Sequence, residues 1–412
     1  MEDALYPLLK FYKQVPPTIQ DAVGFAYRTL PNRFRFGTFY DEYRKRISLF
    51  LESDPAMVRQ LQLGLLLETV NRAISYVPYY ASMPRIESFE EFRGFPVVSK
   101  SEIIDNASAF VSTEFSSKRL KANTGGSSGT PMEFNIHAGK TRPKERAHFD
   151  WFWGQCGYAP GERVLMIRGA PLTGNALYEY QSIKNCLAVS CYELNSSNIE
   201  EVLREARRFR PQFIHGYPSA VKNFIQCIAE NPAACWDLPL RGIFLGSEGL
   251  SAGDRAEIGE FLGAQILAWY GHSECAIMGG NSPHSSELYF FPFYGYAELL
   301  NEDGKPIHRP GEIGRLVATS FDNFVMPFIR YDTGDYGELS STDSFRSLPC
   351  FVLSKIEGRG QDIIHLCDGT RVSLTAFIFG QHLPEFSRIR EMQLVQDVGG
   401  ELLLRIVRGK DY

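Results

Sequence analysis

The chain has 412 residues, 44% of them hydrophobic and 22% charged, with a formal net charge of −5. Such a length exceeds the roughly 250–300 residues at which one core stops growing, so a large domain with a smaller companion is expected. Near-average composition excludes a disordered or fibrous chain, and net acidity excludes the basic footprint of a nucleic-acid binder or of a protein drawn to anionic membranes, leaving small molecules as the expected partners.

The N-terminus, Met1-Glu2-Asp3-Ala4-Leu5, carries acidic residues where a secretory signal carries basic ones, and no apolar run reaches transmembrane length. A cytoplasmic chain without membrane insertion is expected. Residues 1 to about 120 read as mainly helical, as over Met57 to Tyr76, where Leu63, Leu66, Val70 and Ile74 fall at helical spacing and Pro78 and Pro96 punctuate. The eight cysteines are scattered without a C-x-x-C pair or a nearby histidine pair, which argues against zinc and structural disulfides.

Thr124-Gly125-Gly126-Ser127-Ser128-Gly129-Thr130-Pro131 alternates glycines with hydroxyls, so that backbone N–H groups and Oγ atoms can converge on an anion, with a phosphate chain as the expected guest. Met132 to Ile136 then alternate apolar and polar residues like a half-buried strand, so the loop should join two strands. A Walker loop would open a helix and end in Gly-Lys-Ser/Thr. Gly125-Gly126-Ser127-Ser128-Gly129 also fits G-x-S-x-G, which would make Ser127 a hydrolase nucleophile, but that elbow turns from strand into helix. Further on, Trp151, Phe152 and Trp153 read as helix packing.

From Val164 to Tyr270, short β-rich runs alternate with amphipathic helices, which predicts a parallel sheet. Strands are expected at Val164–Ile167, Leu187–Ser190, Gln212–Ile214, Gly242–Leu245 and Gln265–Trp269. Helices are expected at Ile199–Phe209, with a capping box Ser197-x-x-Glu200, at Val221–Ala229, and after Ser251-x-x-Asp254. His215-Gly216-Tyr217, Gly246-Ser247-Glu248-Gly249 and Tyr270-Gly271-His272-Ser273-Glu274 each follow a strand, and in an open α/β sheet they should line one cleft outside the carboxyl ends. Beyond Leu288 the reading is strand-rich. A hairpin is expected at Glu302-Asp303-Gly304-Lys305, a break at Ile356 to Gly360, and further turns at Asp368-Gly369 and Gly399-Gly400.

The glycine/hydroxyl loop, Tyr270-Gly271-His272-Ser273-Glu274, Arg330-Tyr331-Asp332-Thr333-Gly334-Asp335 and Gly358-Arg359-Gly360-Gln361-Asp362 occur in the order of the adenylate-forming superfamily, which the chain resembles along its length. Val77-Pro78-Tyr79-Tyr80, Gly216-Tyr217-Pro218-Ser219 and Ser247-Glu248-Gly249-Leu250-Ser251 make it similar to phenylacetate-CoA ligase-like proteins, in particular the capsular-polysaccharide-cluster branch. The resemblance implies an α/β fold, with a large adenylation domain of layered α/β sheets plus a β-rich subdomain over 1–357. A small C-terminal α+β domain, here shortened, would cover 358–412.

It also implies that ATP and Mg²⁺ activate a carboxylic acid as acyl-AMP with release of pyrophosphate, with coenzyme A as a candidate acceptor, in surface-polysaccharide biosynthesis. In chemical terms, Thr124, Gly125, Gly126, Ser127, Ser128, Gly129 and Thr130 suit the β and γ phosphates. Tyr270 offers a face for adenine, Ser273 a hydroxyl for the α-phosphate and Glu274 a hard oxygen for Mg²⁺. Asp335 can accept both ribose hydroxyls, and Arg359 can reach the nucleotide from the domain boundary. Ser247, Glu248, Gly271 and His272 complete the expected nucleotide contacts, and His215, Gly216 and Tyr217 the acid's. Asp332-Thr333-Gly334 spells the aspartic-protease triplet without the second copy that chemistry needs.

Three features depart from the family pattern. Met132-Glu133 stands where many relatives have a lysine, Gln361 precedes Asp362 at the hinge, and no glycine-lysine-aromatic segment supplies the catalytic lysine, a role not transferred to Lys410. The alternative expectation is therefore a shortened, catalytically weak nucleotide-binding homologue.

Overall fold

The computed structural model describes residues 12, 15–124, 132–168, 172, 176–345, 348–359, 363–365, 371–373, 389–396 and 401–408. The N-terminal part is helical, with α1 (Pro17–Thr29), α2 (Thr38–Glu52) and α3 (Pro55–Tyr76). Helix α3 starts where the Asp54 carboxylate accepts the Met57 N–H at 2.9 Å and Pro55 takes the first turn, and it stops ahead of Pro78. Leu66 and Val70 are buried as the spacing requires, while Leu63 and Ile74 sit half-buried at the flanks.

Strands β1 (Arg119–Asn123) and β2 (Glu133–His137) form an antiparallel hairpin around the glycine/hydroxyl loop. Residues 125–131 themselves lie outside the described residues. A strand, not a helix, follows the loop, so the strand-to-helix context of a Ser127 nucleophile elbow is not met. Met132, Phe134 and Ile136 are buried and Glu133 exposed, the alternation expected of a half-buried strand. Helix α4 (Thr141–Trp153) follows, and Trp153 stacks on Phe244 at 4.6 Å, which accounts for the tryptophans as packing.

The parallel sheet forms as expected. Strands β3 (Val164–Arg168), β5 (Cys186–Ser190), β6 (Phe213–Gly216), β7 (Gly242–Gly246) and β8 (Ile266–Gly271) lie in the spatial order β5-β3-β6-β7-β8, all parallel. Strand β4 (Tyr178–Gln181) edges it antiparallel to β5. Every residue of β5 and β7 is buried, as strands covered on both faces require. One face carries α5 (Ile199–Phe209), α6 (Pro218–Glu230) and α7 (Ala252–Leu262) through Val202, Leu203, Val221, Phe224 and Ile258. The other face packs Phe213, Phe244 and Leu267 against Phe152 and Trp153 of α4.

Ser251 caps α7 through the Asp254 N–H at 3.0 Å, as expected. The capping box at Ser197 does not form: its hydroxyl donates to Asn195 Oδ1 at 2.5 Å, and α5 starts after Asn198 without a side-chain cap. A local asparagine turn has outcompeted the cap for the same hydroxyl.

The sheet continues without a break into antiparallel strands β9 (Met278–Ser282), β10 (Ser285–Phe290), β11 (Gly295–Leu300), β12 (Ile313–Ser320) and β13 (Tyr331–Leu339). The two-residue strands β14 (Ser344–Phe345) and β15 (Leu348–Pro349) pair with each other, and β16 (Phe351–Arg359) lies between β13 and β10. Beyond β8 the order is β9-β10-β16-β13-β12-β11. The turn at Glu302 to Lys305 forms, with Gly304 at φ 75°, but β12 begins only at Ile313. The segment expected as a break at residue 356 is instead the end of β16, since a run of alternating partners on β13 keeps it in the sheet through Arg359. Two further hairpins, β17 (Ile363–His365) with β18 (Arg371–Ser373) and β19 (Ile389–Val395) with β20 (Leu403–Arg408), bracket the two glycine turns read in the sequence.

At Gly295 the first residue of β11 passes so close to the loop after β8 that a Cβ would lie 1.9 Å from the Ala276 carbonyl oxygen. Backbone cannot retreat as a flexible side chain can. Gly295→Ala is expected to cost at least about 1–3 kcal/mol of unfolding free energy, read as a lower denaturation midpoint with an unchanged slope.

Candidate active site

Strands β8 and β13 stand four inter-strand steps apart in the sheet order, a separation of about 19 Å were the sheet flat. Yet the Tyr270 hydroxyl donates to Asp335 Oδ2 at 2.5 Å. The antiparallel half therefore curls over the end of the parallel half, and β13 faces the carboxyl end of β8.

Two more contacts close the same junction. Tyr331, at the start of β13, donates its hydroxyl to Glu274 Oε1 at 2.9 Å, and His272 Nδ1 lies 3.1 Å from Glu274 Oε2, the arrangement of an N–H donor and a carboxylate. With Nδ1 so engaged, His272 Nε2 is buried without a partner among the described residues. Tyr270 and Tyr331 flank His272, with ring centroids 6.2 and 6.4 Å away. The hairpin that carries the glycine/hydroxyl loop docks on the same cluster: Phe134 of β2 meets Phe328 at 5.5 Å, and Phe328 meets Tyr331 at 5.1 Å.

Glu274 is only 6% exposed. Burial raises its pKa, but hydrogen bonding and charge from His272 and the Tyr331 hydroxyl more than offset this and bring it down to about 2. A depressed carboxyl favours folding above its ordinary value of 4.5, and that contribution is lost as pH falls toward 2. The carboxylate is thus ionised throughout the neutral range. Burial and the adjacent Asp335 charge push the Tyr270 hydroxyl well up, keeping it a donor.

Among the described residues no group of three or more His, Cys, Asp or Glu could hold a metal ion by itself. A single ionised carboxylate suits Mg²⁺, which takes one or two carboxylates and draws the rest of its shell from substrate phosphates and water. Glu274 fits that ion and no all-protein cage is needed.

The other expected residues are placed less tightly. Thr124 is buried at the end of β1, where its hydroxyl accepts the Met132 N–H at 2.9 Å and closes the base of the loop; Gly125, Gly126, Ser127, Ser128, Gly129 and Thr130 lie outside the described residues. Ser247 follows β7 in the left-handed region, at φ 69°, a conformation that costs a non-glycine residue of order 1–3 kcal/mol and clusters at functional sites. Glu248 caps α6, accepting the Ser219 N–H at 3.0 Å and the Ser219 hydroxyl at 2.9 Å. Gly271 and Ser273 are exposed at the junction. Arg359 stands opposite Asp335 in the β16/β13 register. His215 sits among Trp153 and Trp269, with ring centroids at 5.0 and 5.2 Å. At Gly216 a Cβ would meet the Ile167 carbonyl oxygen at 2.5 Å, and Tyr217 immediately precedes α6.

Two curated relatives resemble the chain. The chain is 26% identical over 251 residues to protein CapK of Staphylococcus aureus, a match covering 60% of this chain and 54% of CapK. It is 26% identical over 335 residues to the phenylacetate-coenzyme A ligase of Pseudomonas putida, covering 74% and 72%. The chain is similar to phenylacetate-CoA ligase-like, adenylate-forming proteins. Its fold is that of the solved 2-hydroxyisobutyryl-CoA ligase in complex with 2-HIB-AMP and CoA, at a TM-score of 0.62 and 20% identity over 88% of this chain and 81% of that one. No family model matches the chain. The chain spans little more than half of CapK, 54%.

In this ligase-like chain Tyr331 is the residue that sequence reasoning passed over. It sat in a quoted motif without a role, because its partner Glu274 is 57 residues away along the chain. Arg330 beside it is structural: its guanidinium pairs with Glu298 at 3.1 Å and donates to the Phe95 carbonyl at 2.5 Å. Asp332 pairs with Arg315 at 2.9 Å, which gives the protease-like triplet a structural explanation. Among the described residues no helix is long and apolar enough to cross a membrane.

Proposed function

We propose that the chain is a cytosolic adenylate-forming ligase that uses ATP to activate a carboxylic acid, for transfer to coenzyme A or another acceptor in surface-polysaccharide synthesis. The observation that carries this reading is the junction at which Tyr270 meets Asp335 and Tyr331 meets Glu274, beside the glycine/hydroxyl hairpin. The named relatives and the shared fold support it.

In this reading an oxygen of the acid attacks the α-phosphorus of ATP, the bond to the bridging oxygen breaks, and pyrophosphate leaves with its electron pair. Asp335 accepts hydrogen bonds from the ribose hydroxyls; an ionised carboxylate offers about four lone-pair sites, enough to serve these besides Tyr270. Tyr270 lies against adenine. Thr124 and the loop residues 125–130 direct N–H and hydroxyl donors to the β and γ phosphates, and Ser273 to the α-phosphate. Glu274 would hold Mg²⁺, which when bound offsets the charge gathering on pyrophosphate. Ser247, Glu248, Gly271, His272 and Arg359 complete the nucleotide contacts, and His215, Gly216 and Tyr217 border the acid. The small C-terminal domain, expected from 358, would follow the end of β16 at Arg359.

Exchange of labelled pyrophosphate into ATP tests this directly. Exchange that requires an added carboxylic acid is the expected result. Tight ATP binding without exchange across a broad acid panel would overturn the ligase in favour of a nucleotide-binding homologue.

A further inference from the structure

The whole-chain charge of −5 does not describe the N-terminal part: residues 10–36 carry five basic side chains and one acidic. Within that stretch α1 is attached to the rest of the molecule along a polar edge. Its Asp21 carboxylate accepts the Ser182 hydroxyl, and Arg28 donates to the Ser182 carbonyl. On the same edge Gly24 is the one buried residue of the helix, and a Cβ there would lie 2.6 Å from the Ser182 backbone. A surface helix ordinarily docks its apolar stripe and turns its polar face outward. Helix α1 does the reverse.

Ile19, Ala22, Val23, Ala26 and Leu30 follow the i, i+3, i+4, i+7, i+11 spacing of one helix face, on the side opposite Asp21, Gly24 and Arg28. Ile19, Val23 and Leu30 are 49%, 44% and 43% exposed, and none of the five joins a hydrophobic cluster of the described residues. Phe25 beside the stripe and Phe34, in the short helix Asn32–Phe36 that follows, are likewise exposed. The exposed Arg33 stands over the Phe34 ring, its guanidinium carbon 5.5 Å from the centroid. Asp21 supplies the sole carboxylate of residues 15–36 and is held on Ser182, so the outward side carries no negative charge.

Size and sign together indicate what covers this face. The stripe is roughly 17 Å long and 10 Å wide, far short of the about 800 Å² per partner of a stable protein–protein interface. It is too small to hold a second copy of the chain by itself. A bilayer sets no such minimum: an amphipathic helix lies in the plane of the surface, its apolar side chains at the acyl boundary and its basic ones against anionic headgroups. Large aliphatic side chains, exposed phenylalanines, an exposed arginine and no outward carboxylate match that surface in both polarity and sign. We propose that α1 and the short helix after it form a docking surface for an anionic phospholipid bilayer, holding the chain on the membrane without crossing it.

Flotation of the intact chain with vesicles of phosphatidylcholine, and of phosphatidylcholine mixed equally with phosphatidylglycerol, tests this. The expected result is binding to the mixed vesicles at least about tenfold tighter than to the neutral ones, weakening as salt is raised. Ile19→Asp combined with Val23→Asp should weaken that binding about 10²-fold or more, and Arg33→Glu should remove most of the preference for the anionic vesicles. Because the replaced side chains are exposed, both variants should keep the wild-type melting temperature. No flotation with either vesicle, equal binding to both, or binding that the double variant leaves unchanged overturns the proposal. Dimerisation in sedimentation equilibrium that the double variant abolishes, without vesicle binding, overturns it in favour of a second copy on this face.

Discussion

Glu274→Gln is expected to lower acid-dependent pyrophosphate exchange about 10²–10³-fold, the scale of losing one preorganised group that stabilises transition-state charge. The wild-type side chain is buried, ionised far below neutral pH and held on both oxygens by Tyr331 and His272. Those contacts fix its direction, and its charge is what a phosphate-bound Mg²⁺ requires. Glutamine preserves the shape and one acceptor but removes the charge, so the Mg²⁺ concentration giving half-maximal exchange should rise while the melting temperature changes little. Alanine should do both kinds of damage, because it also strands a buried imidazole and a phenol at about 1–3 kcal/mol each. A glutamine variant with the wild-type Mg²⁺ dependence would remove Glu274 from the metal site.

Asp335→Ala should weaken ATP binding by about 10–150-fold, corresponding to the roughly 1.5–3 kcal/mol of a hydrogen bond to a charged acceptor. The effect should appear in KM for ATP and leave that for the acid nearly unchanged. Tyr270 loses its partner in the same variant, so Tyr270→Phe supplies the comparison: it removes the donor and leaves the carboxylate in place. If Tyr270→Phe weakened ATP as much as Asp335→Ala, the aspartate would be acting only through the tyrosine. Unchanged ATP affinity in Asp335→Ala would end the ribose assignment altogether.

What was legible in the sequence is what local rules determine. The parallel strands between Val164 and Gly271 announce themselves because the runs are short, β-rich and separated by amphipathic helices, with β5 and β7 buried on both faces. Ser251 capped α7 as its spacing suggested, whereas Ser197 was diverted by Asn195, a competitor two residues away that the capping motif does not consider. The curl that carries Asp335 onto Tyr270 was not legible, since it arises from six antiparallel strands added beyond β8 and not from any one of them. For the same reason the ordered motifs pointed to Glu274 and Asp335 but not to Tyr331.

The central claim is that the segment around Tyr270 to Glu274 and the start of β13 form one wall of an adenine-nucleotide pocket. Photolabelling with an azido-adenine analogue of ATP, followed by peptide mapping, tests it most directly. Label on the peptides spanning 266–275 or 331–339, suppressed by excess ATP, is the predicted result. Label confined to other parts of the surface, or unaffected by ATP, would contradict it.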